Sequence, residues 1–287
     1  MPTDLFDSHP KLLIGVVHLR PLPGSPRWQG DLKSVMDFAV ADARAYERGG
    51  AHALFIENFG DLPFTKGHVS PETVAVMAAV GCAIRAAVKL PIGFNVLRND
   101  ARAALALCAA CGGRFVRVNV HTGAMLTDQG LIEGNAYETL RYRQQICPGA
   151  QIFADVHVKH AVPLGNWKIG DSARDAVERG LADALVVSGT GTGLAADRAD
   201  VEAVRAVCPL AKLLLGSGVT IDNLADYLPL ADGFIVGSSL KRGGRLYDSV
   251  DVKRVAALAR ACQNPKAERR PKPEARINPP VTSVGGS

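Results

Sequence analysis

The chain has 287 residues, of which 47% are hydrophobic and 6% aromatic, and a formal net charge of +5. This length accommodates one large domain or two small ones, and the apolar fraction suffices for a sizeable core. Residues 263–287 hold five cations and two carboxylates, so this segment contributes three of the five net charges. The remainder is nearly neutral, which does not indicate a nucleic-acid surface.

Neither the cysteines nor the apolar segments indicate a secreted or membrane-spanning protein. Six cysteines at this length do not suggest a disulfide framework, and Cys108-x-x-Cys111 lacks two further zinc ligands at suitable spacing. Residues 1–10 are polar and do not resemble a signal peptide. No apolar run approaches the roughly 20 residues that a membrane-spanning helix needs. We therefore expect a cytoplasmic protein that makes at most peripheral contact with a membrane.

Short segments rich in Val, Ile and Leu alternate with Ala-rich segments of helical character along the chain. Strands are predicted at Leu12–Leu19, Ala53–Asn58, Pro91–Leu97, Phe115–Val120, Gln151–Val158, Ala184–Ser188, Lys212–Leu215 and Gly233–Val236. Helices are predicted at Asp31–Arg48, Pro71–Val88, Asp100–Ala110, Ala136–Cys147, Asp171–Arg179, Asp200–Val207, Ile221–Tyr227 and Val252–Cys262. Such alternation implies a parallel sheet with helical crossovers.

Eight strand–helix units match an α/β fold of the (β/α)8 TIM-barrel type, although an open doubly wound sheet is the alternative. Many of the strands end in polar residues. In a barrel these ends converge on one mouth, whereas in an open sheet only two or three strands border the crevice. The polar endings therefore favour a barrel over residues 1–262. Residues 263–287, with five prolines and scattered charges, are predicted to form a disordered tail.

The fifth predicted strand carries three titratable groups at alternate positions. Asp155, His157 and Lys159 would share one face, and such groups are costly in a core unless they line a working cavity. We predict that all three are catalytic. Lys159 would be an amine nucleophile or a cation for developing negative charge, His157 would move protons, and Asp155 would be a base or an orienting group. A structural ion-pair network is the alternative.

Glu57, at the end of the second strand, is the leading carboxylate for acid–base catalysis, with a loop-anchoring acceptor as the alternative. Arg117 is expected to pair with Glu57 or Asp155. His18 would face either the mouth or the helix layer. No compact metal-ligand motif occurs, so neither a metal nor a cofactor is predicted. The residues predicted to bind substrate are His18, Asn58, Asn95, Arg117, Asn119 and Ser188.

Turns rich in glycine and serine follow the last two predicted strands. Glycine lets the backbone approach an anion closely, and many (β/α)8 enzymes bind phosphate at these two loops. The residues predicted to bind phosphate are Gly216, Ser217, Gly218, Gly237 and Ser238. Tight turns without a ligand are the alternative. Two further segments, residues 189–193 and 122–134, are candidates for mobile lids or plain loops.

Several motifs together resemble one known family. They are Ile14-Gly15-Val16-Val17-His18-Leu19, Glu57-Asn58-Phe59-Gly60-Asp61, Asn95-Val96-Leu97-Arg98-Asn99-Asp100, Asp155-Val156-His157-Val158-Lys159-His160 and Val187-Ser188-Gly189-x-Gly191-Thr192-Gly193. They are similar to those of the BtpA/SgcQ family, from about residue 11 to residue 262. The resemblance implies a barrel akin to the ribulose-phosphate-binding barrels. It also implies two functional labels: biogenesis or stability of photosystem I at the thylakoid membrane, and processing of a sugar or nucleoside.

Two functional hypotheses follow. The first is an enzyme that acts on a phosphorylated sugar or nucleoside by glycosidic hydrolysis, isomerisation or aldol-type cleavage. The second is a non-catalytic factor for the biogenesis of photosystem I or another membrane complex. The dense polar mouth favours the enzyme, because a scaffold has no need to hold an acid, an imidazole and an amine together. The expected partner is a small phosphorylated molecule, and a homo-oligomer is left open.

Overall fold

The computed structural model describes residues 5–263, in which eight of eleven strands close into a parallel barrel. In chain order the strands are β1 (Leu12–His18), β2 (Ala53–Glu57), β3 (Ile92–Asn95), β4 (Phe115–Val118), β5 (Ala124–Thr127), β6 (Gly130–Glu133), β7 (Gln151–Val156), β8 (Ala161–Pro163), β9 (Ala184–Val187), β10 (Lys212–Leu215) and β11 (Gly233–Val236). The barrel order is β1-β11-β10-β9-β7-β4-β3-β2. Because β1 pairs in parallel with both β2 and β11, the ring is closed. The predicted (β/α)8 barrel is confirmed, and the open-sheet alternative is wrong.

Helices follow the barrel strands and cover the outside of the ring. They are α1 (Leu32–Arg48), α2 (Pro71–Ala87), α3 (Ala101–Cys111), α4 (Ala136–Ile146), α5 (Ile169–Glu178), α6 (Arg198–Val207), α7 (Leu224–Tyr227) and α8 (Val252–Gln263). At the N-caps of α1 and α3, side chains accept hydrogen bonds from backbone amides that have no partner within the helix. Asp31 accepts from the Ser34 amide, and Asp100 accepts from the Ala103 amide. Of the predicted tail only Gln263 is described, as the last residue of α8; residues 264–287 lie outside the described residues.

A second, antiparallel sheet of order β6-β5-β8 lies beside the barrel mouth. The segment 122–134, for which the sequence indicated a loop or lid, contains the β5–β6 hairpin, and β8 joins it from the segment after β7. Leu126 pairs with Leu131 on one side and with Val162 on the other. All three side chains are exposed. Between Leu5 and Gln263, no helix is both long and apolar enough to cross a bilayer.

The interior of the barrel is apolar at its floor and polar at its mouth, the end at which the parallel strands terminate. Three phenylalanines fill the lower interior: the ring of Phe115 lies 4.7 Å from that of Phe55 and 5.2 Å from that of Phe153. Phe6 covers this cluster from below, 5.8 Å from Phe153. Two positions further along the same strands come Glu57, Arg117 and Asp155. Side chains alternate between the two faces of a strand, so residues two positions apart point to the same side. The same three strands therefore supply the phenylalanines of the floor and the polar side chains of the mouth.

A buried ion pair fastens the loop after β11 to α1. Lys241 Nζ lies 2.9 Å from Asp42 Oδ2, and both side chains are almost completely buried. The other Asp42 oxygen accepts the backbone amide of Val250 at 2.8 Å. No sequence pattern indicated this pair, whose members are 199 residues apart. Removing one partner of a buried pair is costly because the other charge stays buried without compensation.

We expect Asp42→Ala to lower the free energy of unfolding by about 3–5 kcal/mol, because Lys241 would keep its buried charge and lose its partner. Urea-induced unfolding measures this change. The matched control is Asp37→Ala, also on α1, which removes a Lys33–Asp37 pair whose two side chains are mostly exposed. Asp37→Ala should change the midpoint little. Equal losses in the two variants would contradict the assignment.

His52 is held neutral near the barrel floor. Its Nδ1 accepts the Leu13 amide at 3.0 Å, and its ring stacks on His9 with 3.8 Å between ring centroids. Its Nε2 is buried and has no partner among the described residues. Burial, assisted by the neighbouring His9, lowers the pKa of His52 to about 4. The unfolded chain therefore binds a proton on this residue at a higher pH than the folded protein does.

Stability should consequently fall as the pH falls from about 6.5, the ordinary histidine pKa, towards about 4. The contribution of His52 is present above this window and lost below it, and amounts to about 1–3 kcal/mol after allowance for partial contact with water. In His52→Asn the amide oxygen still accepts the Leu13 amide but does not titrate. Urea unfolding at pH 7 and pH 4.5 should show a smaller loss in the variant, and equal losses would refute the role of His52.

Candidate active site

A buried carboxylate network organises the middle of the mouth. Asp155 accepts two hydrogen bonds from Arg117, Nε to Oδ2 at 2.8 Å and Nη2 to Oδ1 at 2.7 Å. Asn119 donates to Oδ2 at 2.8 Å, and Ser188 Oγ lies 3.4 Å from Oδ1. Burial alone would lower the pKa of Arg117, but the Asp155 carboxylate outweighs burial and raises it. The predicted pairing of Arg117 thus forms with Asp155, whose oxygens are fully engaged.

The predicted substrate-binding amides of β3 and β4 belong to the same network. Asn95 Nδ2 donates to the Arg117 carbonyl and to Asn119 Oδ1, both at 3.1 Å. Its Oδ1 is buried and has no partner among the described residues. Asn119 therefore links Asn95 to Asp155. These side chains fix the position of Asp155 and Arg117, so a substrate would have to displace their mutual bonds to use them.

Glu57 differs from Asp155 because its carboxylate is not engaged. It is buried at the end of β2, and none of the described residues forms a hydrogen bond or an ion pair with its side chain. It lines a small cavity of about 50 Å³ at the mouth, partly open to solvent and below the roughly 300–1,000 Å³ of sites that enclose a drug-sized ligand. The lining of this mouth cavity includes His18, Glu57, Arg117, Lys159, Thr192, Gly193, Gly216, Ser217, Gly218, Gly237, Ser238 and Ser239.

Lys159 enters the mouth cavity from the segment after β7. It is buried, and its Nζ lies 5.7 Å from the centroid of the Phe59 ring. Arg98 donates a hydrogen bond from Nη2 to the Lys159 carbonyl, which fixes the backbone there. Burial lowers the pKa of Lys159 below its ordinary value; Glu57 opposes this shift and Arg117 adds to it. A larger share of the amine is therefore neutral near physiological pH than for a lysine in water.

His18 faces the mouth and not the helix layer. Its ring packs edge-on against Phe59 at 5.1 Å between centroids, and its Nδ1 is buried without a partner among the described residues. Burial, followed by the nearby cations Lys241, Lys159 and Arg117, lowers its pKa well below the ordinary value. His18 is therefore a neutral imidazole at physiological pH, able to donate or accept one hydrogen bond.

His157 does not share the face of Asp155 and Lys159, contrary to the sequence-based expectation. The strand ends at Val156, two residues earlier than predicted, and His157 has a φ of +52°. This left-handed conformation turns the side chain out of the period-two alternation. His157 Nε2 lies 3.0 Å from Ser172 Oγ on α5. His157 lines a pocket with Asn119, Asp155 and Trp167, and it does not line the mouth cavity that contains Lys159. Burial lowers the pKa of His157.

Asn58 also lies outside the mouth cavity. Its Oδ1 accepts the Leu97 amide at 2.8 Å, and its Nδ2 lies 3.3 Å from Asp61 Oδ2. Asn58 therefore ties the loops after β2 and β3 together. Ser188 lies within hydrogen-bonding distance of both Arg117 and Asp155, and belongs to the buried network.

The glycine-rich turns after β10 and β11 line the mouth cavity, and their glycines have packing reasons of their own. A Cβ on Gly216 would lie 2.5 Å from Ser188 Oγ, and one on Gly237 would overlap His18 Cε1. Gly218 has a φ of +69° and leaves no room for a side chain against residues 194–195. Phosphate binding and tight packing therefore both account for these glycines, and the sequence pattern does not separate them.

The two serines of these turns differ. Ser217 Oγ accepts the Gly189 amide at 3.1 Å and donates to the Leu194 carbonyl at 3.0 Å, so it holds the loop after β9. Ser238 Oγ makes no hydrogen bond with the described residues. The backbone amides of Gly218 and Ser238 likewise have no acceptor among residues 5–263. Ser238 is therefore the available side chain at this end of the cavity.

Several residues of the mouth escaped the sequence analysis. Arg98 is buried, its Nε lacks a partner among the described residues, and its Nη2 reaches across to Lys159. Thr192 lines the cavity, and its loop is held by His160, whose amide donates to the Thr190 carbonyl at 3.0 Å. Arg98 stands in a motif that was singled out, but no local pattern indicates that its side chain spans two loops. No three His, Cys, Asp or Glu side chains converge on a metal-sized site within residues 5–263.

The barrel is shared with solved enzymes at low sequence identity. Phosphoribosyl anthranilate isomerase from Thermus thermophilus superimposes with a TM-score of 0.51 at 15% identity, over 87% of this chain and 97% of that one. At this identity the likeness shows a common fold. It is consistent with the closed ring of parallel strands described above.

Sequence relatives identify the family. The chain is 44% identical to the photosystem I biogenesis protein BtpA of Synechocystis sp. over 256 residues, 89% of each chain. It is 34% identical to SgcQ, an sgc region protein of Escherichia coli, over 86% of this chain and 92% of that protein. The sequence model of the BtpA family matches residues 9–264. This chain belongs to the BtpA family.

Proposed function

We propose that the chain is an enzyme that acts on a phosphorylated sugar or nucleoside by acid–base catalysis at the barrel mouth. The observation that carries the proposal is the contrast between two buried carboxylates. Asp155 is saturated by Arg117, Asn119 and Ser188, whereas Glu57 faces the mouth cavity with no hydrogen-bond partner among the described residues. A buried acid kept unpaired beside a cavity is costly for stability and suited to proton transfer.

The charge of the mouth supports an anionic substrate. The basic side chains Arg98, Arg117 and Lys159 act on each other and on Glu57 and Asp155, and Arg98 also acts on Asp128. The charged residues that line the mouth cavity itself are Glu57, Arg117 and Lys159, so its lining holds two cations and one carboxylate when Lys159 is protonated. The unengaged amides of Gly218 and Ser238 are donors of the kind that cradle phosphate.

The place of these loops in the fold adds support. In many (β/α)8 enzymes phosphate binds at the loops after the seventh and eighth barrel strands, which here are β10 and β11. The name of the Thermus thermophilus neighbour, phosphoribosyl anthranilate isomerase, refers to a phosphorylated sugar. We therefore assign the phosphate of the substrate to the end of the mouth cavity formed by Gly218 and Ser238, and the reacting carbon to the end near Glu57.

A non-catalytic role in assembling a membrane complex is the second candidate. The name of the Synechocystis relative favours it, and so does the exposed apolar row Leu126, Leu131 and Val162 on the small sheet. Escherichia coli has no photosystem, yet its relative covers nearly the same length. A function shared by both relatives would therefore not depend on contacts with a photosystem.

Ribose 5-phosphate should raise the melting temperature of the wild type more than ribose does, because a ligand that binds only the native state stabilises it by mass action. Ser238→Asp should abolish this difference by placing a carboxylate against the phosphate. Ser238→Ala is the matched control, and should retain most of the shift because the backbone amides remain. Gly216→Asp would be uninformative, since a Cβ there meets Ser188 and Val186. Inorganic phosphate and nucleoside monophosphates complete the panel. If none of the compounds raises the melting temperature of the wild type, the result would favour the assembly role over the enzymatic one.

Glu57→Gln should lower kcat on the phosphorylated compound that the shift screen identifies by about 10²–10⁴-fold, because the amide cannot transfer the proton. The thermal shift by that compound should persist, since the substituted side chain has the same length and would still line the cavity. Glu57→Asp is the control and should recover part of the rate. A Glu57→Gln variant with unchanged turnover would remove Glu57 from the mechanism.

A further inference from the structure

We infer that Lys159 is a covalent catalyst that forms an imine with a carbonyl carbon of the substrate. The substrate would then be a phosphorylated aldehyde or ketone, such as the open-chain form of a sugar phosphate. This inference rests on the proposed function, because it uses the same mouth cavity and the same phosphate position.

The first argument is a comparison of two buried lysines. Lys241 is fully buried and lies 2.9 Å from Asp42, as a structural lysine should. Lys159 is almost as buried, yet no carboxylate among the described residues lies within ion-pairing distance of its Nζ. Its Nζ lies over the face of the Phe59 ring, 5.7 Å from the centroid. A chain that pairs one buried lysine and leaves the other unpaired beside a cavity has kept the second amine available.

Secondly, the backbone that carries the amine is held in place. The Arg98 guanidinium donates to the Lys159 carbonyl, and Val158 immediately before it packs in a small apolar cluster with Val120, Met125 and Ile132. The lysine backbone is thus anchored on both sides. A nucleophile held in this manner loses little further freedom when it reacts.

The third argument is the order of groups around the mouth cavity. Lys159 lines the same cavity as Glu57 and as the turns that contain Gly218 and Ser238. A short substrate whose phosphate lies at these turns would extend its carbon chain towards the amine and the carboxylate. Burial lowers the pKa of Lys159, which increases the fraction of neutral amine.

Neutral Lys159 Nζ attacks the carbonyl carbon and the C–N bond forms; the nitrogen releases one proton and the carbonyl oxygen takes one up, which gives a neutral carbinolamine. A second proton, delivered from Glu57 or solvent, converts the hydroxyl into water, which leaves as the C=N bond forms. The protonated imine then withdraws electrons from the neighbouring carbon. Glu57 can remove a proton from that carbon or from the hydroxyl beyond it, which leads to isomerisation or to cleavage of a C–C bond.

The test is reductive trapping on the full-length protein. Glyceraldehyde 3-phosphate and dihydroxyacetone phosphate are each incubated with the wild type and treated with sodium borohydride, which reduces an imine to a stable secondary amine. We expect one adduct per chain, located at Lys159 by peptide mass spectrometry. Inorganic phosphate should reduce its yield, and unphosphorylated glyceraldehyde should label far less.

Lys159→Met should lose the adduct, whereas Lys33→Met, at an exposed lysine on α1, should retain it. Mapping the adduct in the wild type keeps the test decisive even if Lys159→Met folds poorly. A triose phosphate that shifts the melting temperature but leaves Lys159 unmodified, or an adduct spread over exposed lysines, would overturn the inference and leave the proposed function standing. If neither triose phosphate labels Lys159 and no phosphorylated compound in the panel shifts the melting temperature, both fail.

Discussion

The buried pair between Arg117 and Asp155 is the interaction on which the rest of the mouth depends. Two hydrogen bonds of 2.8 and 2.7 Å join the guanidinium to the carboxylate, and Asn119 and Ser188 occupy the remaining positions around it. A buried charge is tolerated only when it is paired and hydrogen-bonded. Because strands β4, β7 and β9 all contribute to this cluster, it fixes their mutual position at the open end of the ring.

All the hydrogen-bonding positions of this cluster are filled, which distinguishes it from other charged groups of the mouth. Glu57 and Lys159 are buried with comparable completeness but lack such partners, while the equally buried Lys241 has Asp42. Unpaired buried charges reduce stability, and proteins retain them mainly where function requires them. The same barrel therefore contains both kinds of buried lysine: one stabilises the loop after β11, and the other faces a cavity.

The packing of the turns adds a constraint that a phosphate site alone would not. Gly216 and Gly237 lack side chains because Ser188 and His18 occupy the space that a Cβ would need. The backbone of these turns is thereby drawn against the mouth, where its amides border the cavity. Close packing and anion binding both favour glycine at these positions. The glycines by themselves are therefore weak evidence for a phosphate site.

The polar strand ends favoured a closed barrel, which the pairing of β1 with β11 confirms. The sequence by itself determined the eight-unit alternation and the apolar-to-polar change along each strand, because these follow from local periodicity. It also located Glu57, Asp155 and Lys159 at strand ends. Only the tertiary structure decided which of them are engaged, since the partners of Asp155 are 33 or more residues away in the chain. It alone turned His157 towards Ser172, because the left-handed conformation after Val156 ends the alternation. It alone brought Arg98 to Lys159 across 61 residues of sequence.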